Sequence, residues 1–290
     1  MFSFKLDRLN TDQEIEGGEF GKVFPYQSHP NDLKWVVKRI YAKDTDFLLK
    51  SLPEIIFGFS ANHPAVLPVS GYHIQKGKFK DFEIYLKLPR MASSLKQTLQ
   101  ERKFSKVPFT KAEILTFFYT LSCGLEYLHN KKIAHGDIKP ANILLSYEGK
   151  AKLGDIGLGK YIPDDEKSYI NLEKDGTIQY LSPERFLRDH QAQRKDLYKA
   201  DIWSLGLSTA ELCLLETRLV TPNITSEKVK EKVEEILKRI KERYGEEFGE
   251  ILRGLLEYNT KERVDIGTVR RRLEMEYKEI LVRGIIYKEN

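Results

Sequence analysis

The stretch from His135 to Asp155 limits this chain more than any other. It reads His-Gly-Asp-Ile-Lys-Pro-Ala-Asn over 135–142, then Ile143-Leu144-Leu145, a turn at Tyr147-Glu148-Gly149, and Ala151-Lys152-Leu153, with Asp155 two residues on. Two short apolar runs around a Gly-containing turn predict a β-hairpin. A hairpin brings its open ends together, so Asn142 before the first strand and Asp155 after the second should meet. An amide oxygen beside a carboxylate makes a hard-oxygen site suited to Mg²⁺ complexed with phosphate. Asp137 adds a carboxylate in the same loop and Lys139 a fixed positive charge. A polar turn with incidental charges is the bland alternative, and it leaves the convergence of acid, cation, amide and second acid unexplained.

The rest of the chain bounds the context. Of 290 residues, 41% are hydrophobic and 11% aromatic, enough for a sizeable core, which excludes disorder, collagen and a disulfide-stapled miniprotein. No run approaches the ~20 apolar residues of a membrane span, and the first residues show no export signal. Basic residues number 48 and acidic 43, a spread excess of +5. Arg270-Arg271-Arg272 reads as the solvated face of a helix whose apolar side is Ile266, Val269, Leu273 and Tyr277. Cys123 and Cys213 lie in apolar helical patterns and read as reduced thiols, without zinc spacing around them.

Texture changes along the sequence. Up to about residue 88 the runs are β-like, at Lys34–Ile40, Val66–Ile74 and Phe82–Leu88, with Gln75-Lys76-Gly77-Lys78 as a turn. From about 111, Ile114, Phe117, Phe118, Leu121, Leu125 and Leu128 recur at helical spacing. Further helices are expected at Ile202–Leu215, Glu227–Tyr244, Phe248–Leu256 and Ile266–Leu281. A strand-rich front and a helical back suggest two lobes joined near Pro89-Arg90-Met91. Lys38 shares a strand face with Val36 and Ile40, an odd place for a lysine without a partner; a solvated edge lysine is the alternative.

The 135–142 segment with Asp155-Ile156-Gly157 resembles the catalytic and magnesium loops of eukaryotic-type protein kinases. Other family motifs follow in order from about residue 15 to about 265. Ile15-Glu16-Gly17-Gly18-Glu19-Phe20-Gly21-Lys22-Val23 looks like the glycine-rich loop, where Gly18 and Gly21 let backbone N–H groups approach phosphate. Lys38 matches the strand lysine, and Glu54, the one glutamate between Arg39 and Phe82, matches its helix partner. Gly176-Thr177 and Ser182-Pro183-Glu184 are similar to the substrate-docking loop and the end of the activation segment. Glu184 would pair with Arg263, and Asp201 would anchor the catalytic-loop backbone. Lys139 and Gly176-Thr177 resemble the serine/threonine branch, and Ser182-Pro183-Glu184-Arg185 resembles MAP-kinase kinases, which are dual-specificity.

The resemblance implies an α+β bilobal fold over 1–290: an antiparallel-sheet N-lobe with one helix to about 88, a hinge at about 89–92, and a larger, mainly helical C-lobe from about 93. It implies ATP and Mg²⁺ as cofactors and a protein substrate, with no nucleic acid or membrane partner, in a cytoplasmic or nuclear location. Asp137, Lys139, Lys38 and Glu54 would be catalytic, and Asn142 and Asp155 would hold the metal. Gly17, Gly18, Gly21, Val23, Val36, Lys38, Leu88, Pro89, Arg90, Met91, Asn142, Leu144 and Asp155 would bind the nucleotide.

Five positions depart from the family. Glu16 stands where the first glycine is usual and would weaken nucleotide binding. Gly136 replaces the arginine that pairs with activation-segment phosphate, so activity should depend little on phosphorylation there. The available acceptors are Ser168, Tyr169 and Thr177, with Asp164, Asp165 and Glu166 as fixed negative charge or solvated loop. Ile156 replaces a phenylalanine. Gly58 replaces an apolar packing residue, so either that packing is thin or Phe57 or Phe59 fills the space. Pro53 implies a short helix around Glu54 with a late first turn. The rival readings are a pseudokinase scaffold, a small-molecule phosphotransferase and a nucleic-acid-binding protein.

Overall fold

Alternating burial along three strands builds the front of the molecule. The computed structural model describes residues 4–9, 11–18, 21–27, 33–77, 79–162, 176–187, 196–220 and 225–286. Strands β1 (Glu16–Gly18), β2 (Gly21–Tyr26) and β3 (Trp35–Ala42) are followed by helix α1 (Thr45–Ser60), then β4 (Gly71–Lys76) and β5 (Phe82–Pro89). The five strands form one antiparallel sheet in the order β1-β2-β3-β5-β4. Ile40, Ala42, Ile84 and Leu86 project from its inner face onto Ile55 of α1 and Val69, closing a small core.

The larger lobe is mainly helical. It contains β6 (Ser93–Ser94), α2 (Leu95–Ser105), α3 (Lys111–Asn130) and β7 (Ile133–Ala134). The hairpin strands β8 (Ile143–Leu145) and β9 (Ala151–Leu153) come next, then β10 (Lys160–Tyr161). Helices α4 (Pro183–Leu187), α5 (Asp196–Leu214), α6 (Ser226–Tyr244), α7 (Glu246–Leu255) and α8 (Ile266–Ile286) complete it. Helix α5 is buried almost all round, as expected of a central helix. In α6, Val229, Val233, Ile236, Leu237 and Ile240 form one buried stripe against charged residues on the other face. No helix among the described residues is long and apolar enough to cross a membrane.

Three expectations need correction. Helix α1 is not short: Asp44 caps it by accepting from Phe47 N at 2.8 Å, and Pro53 lies inside its sixteen residues. The proline removes one helical bond, to the carbonyl of Leu49, whose side chain is 57% exposed, so the loss falls on a turn open to solvent. Val66–Ile74 is not one strand. Val66 makes only an isolated bridge to Leu153, and Leu67 N donates to Leu153 O at 2.8 Å, so this segment ties the small lobe to the hairpin of the large one. Helix α5 begins at Asp196, ahead of the expected Ile202.

Helix α2 is absent from the sequence reading. Only Leu95 and Leu99 of its eleven residues are buried, too few for a periodic signal. Its start is nonetheless marked by a capping box: Gln97 N donates to Ser94 Oγ while Ser94 N donates to Gln97 Oε1.

Candidate active site

The site lies between the lobes. On β3 the alternation places Val36, Lys38 and Ile40 inward, all buried. Lys38 Nζ donates to Glu54 Oε1 at 2.8 Å and Oε2 at 3.0 Å, and to Asp155 Oδ1 at 2.9 Å. A solvated edge lysine is thereby excluded. Burial alone would lower the Lys38 pKa, but Glu54 and Asp155 outweigh it and hold the ammonium well above its usual value. Burial pushes the Glu54 carboxyl up, Lys38 pulls it back, and the charge of Asp155 adds to the rise.

Helix α1 brings Glu54 inward with an unusual contact next to it. A Cβ on Gly58 would stand 2.4 Å from Val69 Cγ2, and Val69 N donates to Gly58 O at 2.9 Å. The space an apolar side chain would take at Gly58 therefore belongs to Val69. Phe57 reaches from α1 into the core cluster that also holds Ile156. Phe59 instead meets Tyr72 edge-on.

The 135–142 segment is held from behind by α5. Both oxygens of the buried Asp201 carboxylate accept backbone bonds, from His135 N at 2.8 Å and Gly136 N at 2.9 Å. His129 Nε2 lies 3.0 Å from the same group. Burial works against ionisation of Asp201, yet these partners hold its carboxyl below the usual range. The buried His135 ring accepts from Asp137 N at Nδ1 and therefore donates from Nε2 to Gly154 O at 3.0 Å. One histidine so ties the 135–142 loop to the end of the β8–β9 hairpin.

At the front of that loop, Asp137 Oδ2 meets Lys139 Nζ at 2.6 Å and accepts from Asn142 Nδ2 at 2.9 Å. Its other oxygen accepts from Thr177 N at 3.0 Å, and Lys139 Nζ donates to Thr177 Oγ1 at 2.5 Å. Burial raises the Asp137 carboxyl, but the Lys139 bond and charge, with the Thr177 amide, bring it below its ordinary value. Asp137 is thus a buried, ionised carboxylate directly behind Lys139 and Asn142.

Asn142 and Asp155 line one cavity of about 300 Å³, with Gly17, Gly21, Lys38 and Lys139. Gly154 N donates to Asn142 O at 2.8 Å, closing the open end of the hairpin. Asp155 adopts φ +54°, a left-handed conformation that aspartate tolerates. Asn142 uses both amide hydrogens on Asp137, at its backbone oxygen and at Oδ2. Among the described residues, Asn142 Oδ1 and Asp155 Oδ2 have no hydrogen-bond partner. Two unpartnered hard oxygens in one polar cavity fit a Mg²⁺ ion whose other ligands are phosphate and water.

Gly21, at φ +129°, lies so close to β3 that a Cβ would stand 2.5 Å from Arg39 O. Gly18 pairs with it in the β1–β2 register, while Glu19, Phe20 and the side chain of Glu16 lie outside the described residues. A second cavity, about 200 Å³, adjoins the first. Val23, Val36 and Leu144 form its apolar walls, and Leu88, Pro89, Arg90 and Met91 its hinge edge. Arg90 N and Ala92 N are bonded to Lys34 O and Leu145 O, whereas Met91 N takes no partner among the described residues. Ile15 and Leu67 also line this cavity and were missed. Ile15 stands just ahead of the glycines, a position that offered a signal; Leu67 lies in the segment misread as strand.

Farther back, the buried Glu184 and Arg263 pair at 2.8 Å and 3.1 Å. The Arg263 guanidinium also lies over the Trp203 ring and donates to Lys199 O and Glu257 O. This cluster is scaffold. Gly136 has φ +84°, and its carbonyl accepts from Arg185 Nη1 at 2.9 Å. Asp164, Asp165, Glu166, Ser168 and Tyr169 lie outside the described residues.

Comparison with known proteins agrees with this geometry. A family model described as protein kinase domain matches residues 9–277. The interferon-induced, double-stranded RNA-activated protein kinase of Mus musculus is 29% identical over 75% of this chain and 44% of its own length. Serine/threonine-protein kinase Nek5 of Mus musculus is 31% identical over 73% of this chain and 31% of its own. Mitogen-activated protein kinase kinase 9 of Arabidopsis thaliana is 39% identical over 39% of this chain and 36% of its own. The chain spans less than half the length of these relatives.

Proposed function

The chain belongs to the protein kinase family, and on that premise we propose that it transfers the γ-phosphoryl group of ATP to serine or threonine hydroxyls of protein substrates. The observation that carries the reading is the buried, ionised carboxylate of Asp137, bonded to Lys139 and Asn142, which line the cavity where Asn142 and Asp155 keep two unpartnered oxygens. Phosphoryl transfer of this kind is mostly positioning and charge neutralisation.

In this reading the adenine enters the 200 Å³ cavity between Val36 and Leu144, and the unpartnered Met91 N–H donates to its edge. Lys38, fixed by Glu54, holds the α- and β-phosphates. Asn142 and Asp155 hold Mg²⁺, which supplies charge neutralisation of the phosphates when bound. Asp137 orients the acceptor hydroxyl and takes its proton, and Lys139 faces the transferring phosphoryl group. The bond of Lys139 to Thr177 Oγ1 supports the serine/threonine assignment, with tyrosine acceptance as the wider form of the same proposal.

Gly136 carries no guanidinium to receive a phosphate, and Arg185 already engages the loop from α4. We therefore place the activity as little dependent on phosphorylation of the activation segment. The free thiols Cys123 and Cys213 support a reducing, cytoplasmic setting.

The test is a phosphotransfer assay on a peptide library offering Ser, Thr and Tyr, with Asp155→Ala and Asp137→Asn as controls. Transfer to Ser and Thr peptides that falls by orders of magnitude in both variants supports the reading. Tight nucleotide binding without transfer assigns the chain to the pseudokinase scaffolds, and abolition of activity by phosphatase treatment removes the phosphorylation-independence.

A further inference from the structure

Three lysines line the 300 Å³ cavity: Lys38, Lys96 and Lys139. Two of them are neutralised, Lys38 by Glu54 and Asp155, Lys139 by Asp137. Lys96 has no ion-pair partner among the described residues. It is the second residue of α2, where the positive end of the helix dipole disfavours a cation. The residues three and four positions on, Leu99 and Gln100, are not acidic and give it no intrahelical pair. Lys96 is exposed, so its ammonium stands in water at the cavity rim and is open to a charged ligand.

Helix α2 packs against the turn Pro140–Asn142, so Lys96 shares this wall of the cavity with Ala141, between Lys139 and Asn142. The methyl group at 141 leaves space and brings no negative charge. We propose that Lys96 is a specificity-determining residue that pairs with an acidic side chain of the protein substrate, an inference that rests on the kinase reading above. The other anion available is the nucleotide triphosphate. Its cation, Lys38, stands on β3 of the small lobe, whereas Lys96 and Ala141 lie on the large-lobe side with Lys139, the residue that in the kinase reading stands beside the acceptor.

The experiment uses acceptor peptides that differ only by Glu, Ala or Lys at each position flanking the Ser or Thr. The wild-type chain should favour Glu over Ala at one flanking position by about two- to tenfold in kcat/KM, the range of a partly screened ion pair. Lys96→Ala should bring that ratio close to unity, and Lys96→Glu should turn the preference toward the Lys peptide. A ratio unchanged across the three proteins overturns the proposal. So does a raised KM for ATP with the peptide ratio intact, which assigns Lys96 to the nucleotide. Fluorescence anisotropy with the same peptides, labelled, reads the preference without turnover, so a chain that transfers no phosphate fails the kinase reading and still tests the subsite.

Discussion

Arg185 Nη1 donates to the carbonyl oxygen of Gly136 at 2.9 Å, from a side chain that is 4% exposed. The contact joins α4, at the end of the activation segment, to the residue before Asp137. A guanidinium fixed on that carbonyl restrains the same peptide that orients the Asp137 carboxylate. Arg185 is a positioning residue in this scheme. Arg185→Met should lower kcat by about 10- to 100-fold, the cost of misplacing a catalytic group by a fraction of an ångström to one ångström. The KM for ATP should change far less, because Arg185 lines neither of the two cavities between the lobes. Separate kcat and KM measurements, with a melting curve as control, check this; equal losses in both would point to general unfolding.

Gly136 leaves little room for a side chain. At φ +84° it is in the left-handed region, and a Cβ would stand 2.5 Å from Leu158 O, a backbone atom. Gly136→Ala should cost about 1–3 kcal/mol, summing backbone strain and displacement of the 157–159 turn. Chemical denaturation gives the number, and a variant as stable as the wild type would show that the turn yields freely.

The two partners of Lys38 make its removal worse than that of Glu54. Lys38→Met leaves Glu54 and Asp155 as two carboxylates without their shared cation, one of them buried. Breaking a buried pair from one side costs about 3–5 kcal/mol. Glu54→Gln keeps a hydrogen-bond acceptor and leaves Lys38 paired with Asp155, so its loss should be smaller. Paired melting curves rank the two variants; a larger drop for Glu54→Gln would mean that Asp155 contributes little to holding Lys38.

What the residues disclosed in advance follows from where the constraint is local. The hairpin 143–153 and its meeting ends were legible because turn chemistry and two apolar runs suffice to specify them. Lys38 on an apolar strand face called for a partner, and the family resemblance singled out Glu54, the one glutamate between Arg39 and Phe82, whereas its second partner, Asp155, lies too far along the chain for a local pattern to announce. Helix α2 escaped because two leucines carry its burial and the capping box alone marked its start. Pro53 misled because proline propensity is local, whereas Ile55 and Phe57 on the next turn are paid for by tertiary burial. The packing of Val69 on Gly58 and the reach of Arg185 to Gly136 depend on segments distant in sequence, and nothing in the local pattern announces either.

The Asp201 carboxylate gives the fold a predictable acid limit. Its pKa is lowered in the folded chain, against burial, by His129 and by the amide hydrogens of the catalytic loop. Asp137 is lowered as well, against burial, by Lys139 and Thr177. A carboxyl whose folded pKa lies below its unfolded value, about 4, stabilises the fold fully above that value. The stabilisation is lost as pH falls from about 4 through the folded pKa, because the unfolded chain takes up the proton first. The melting temperature should therefore decline steadily below about pH 5. Asp201→Asn should melt lower at neutral pH, since its NH₂ group would replace one of the two accepting oxygens and set a donor against a backbone N–H. The same variant should show a shallower decline on acidification, because the titrating group at this point is gone. Thermal melts of both proteins across the acid range decide it: parallel pH profiles would mean that Asp201 does not titrate on unfolding and that the acid limit lies elsewhere.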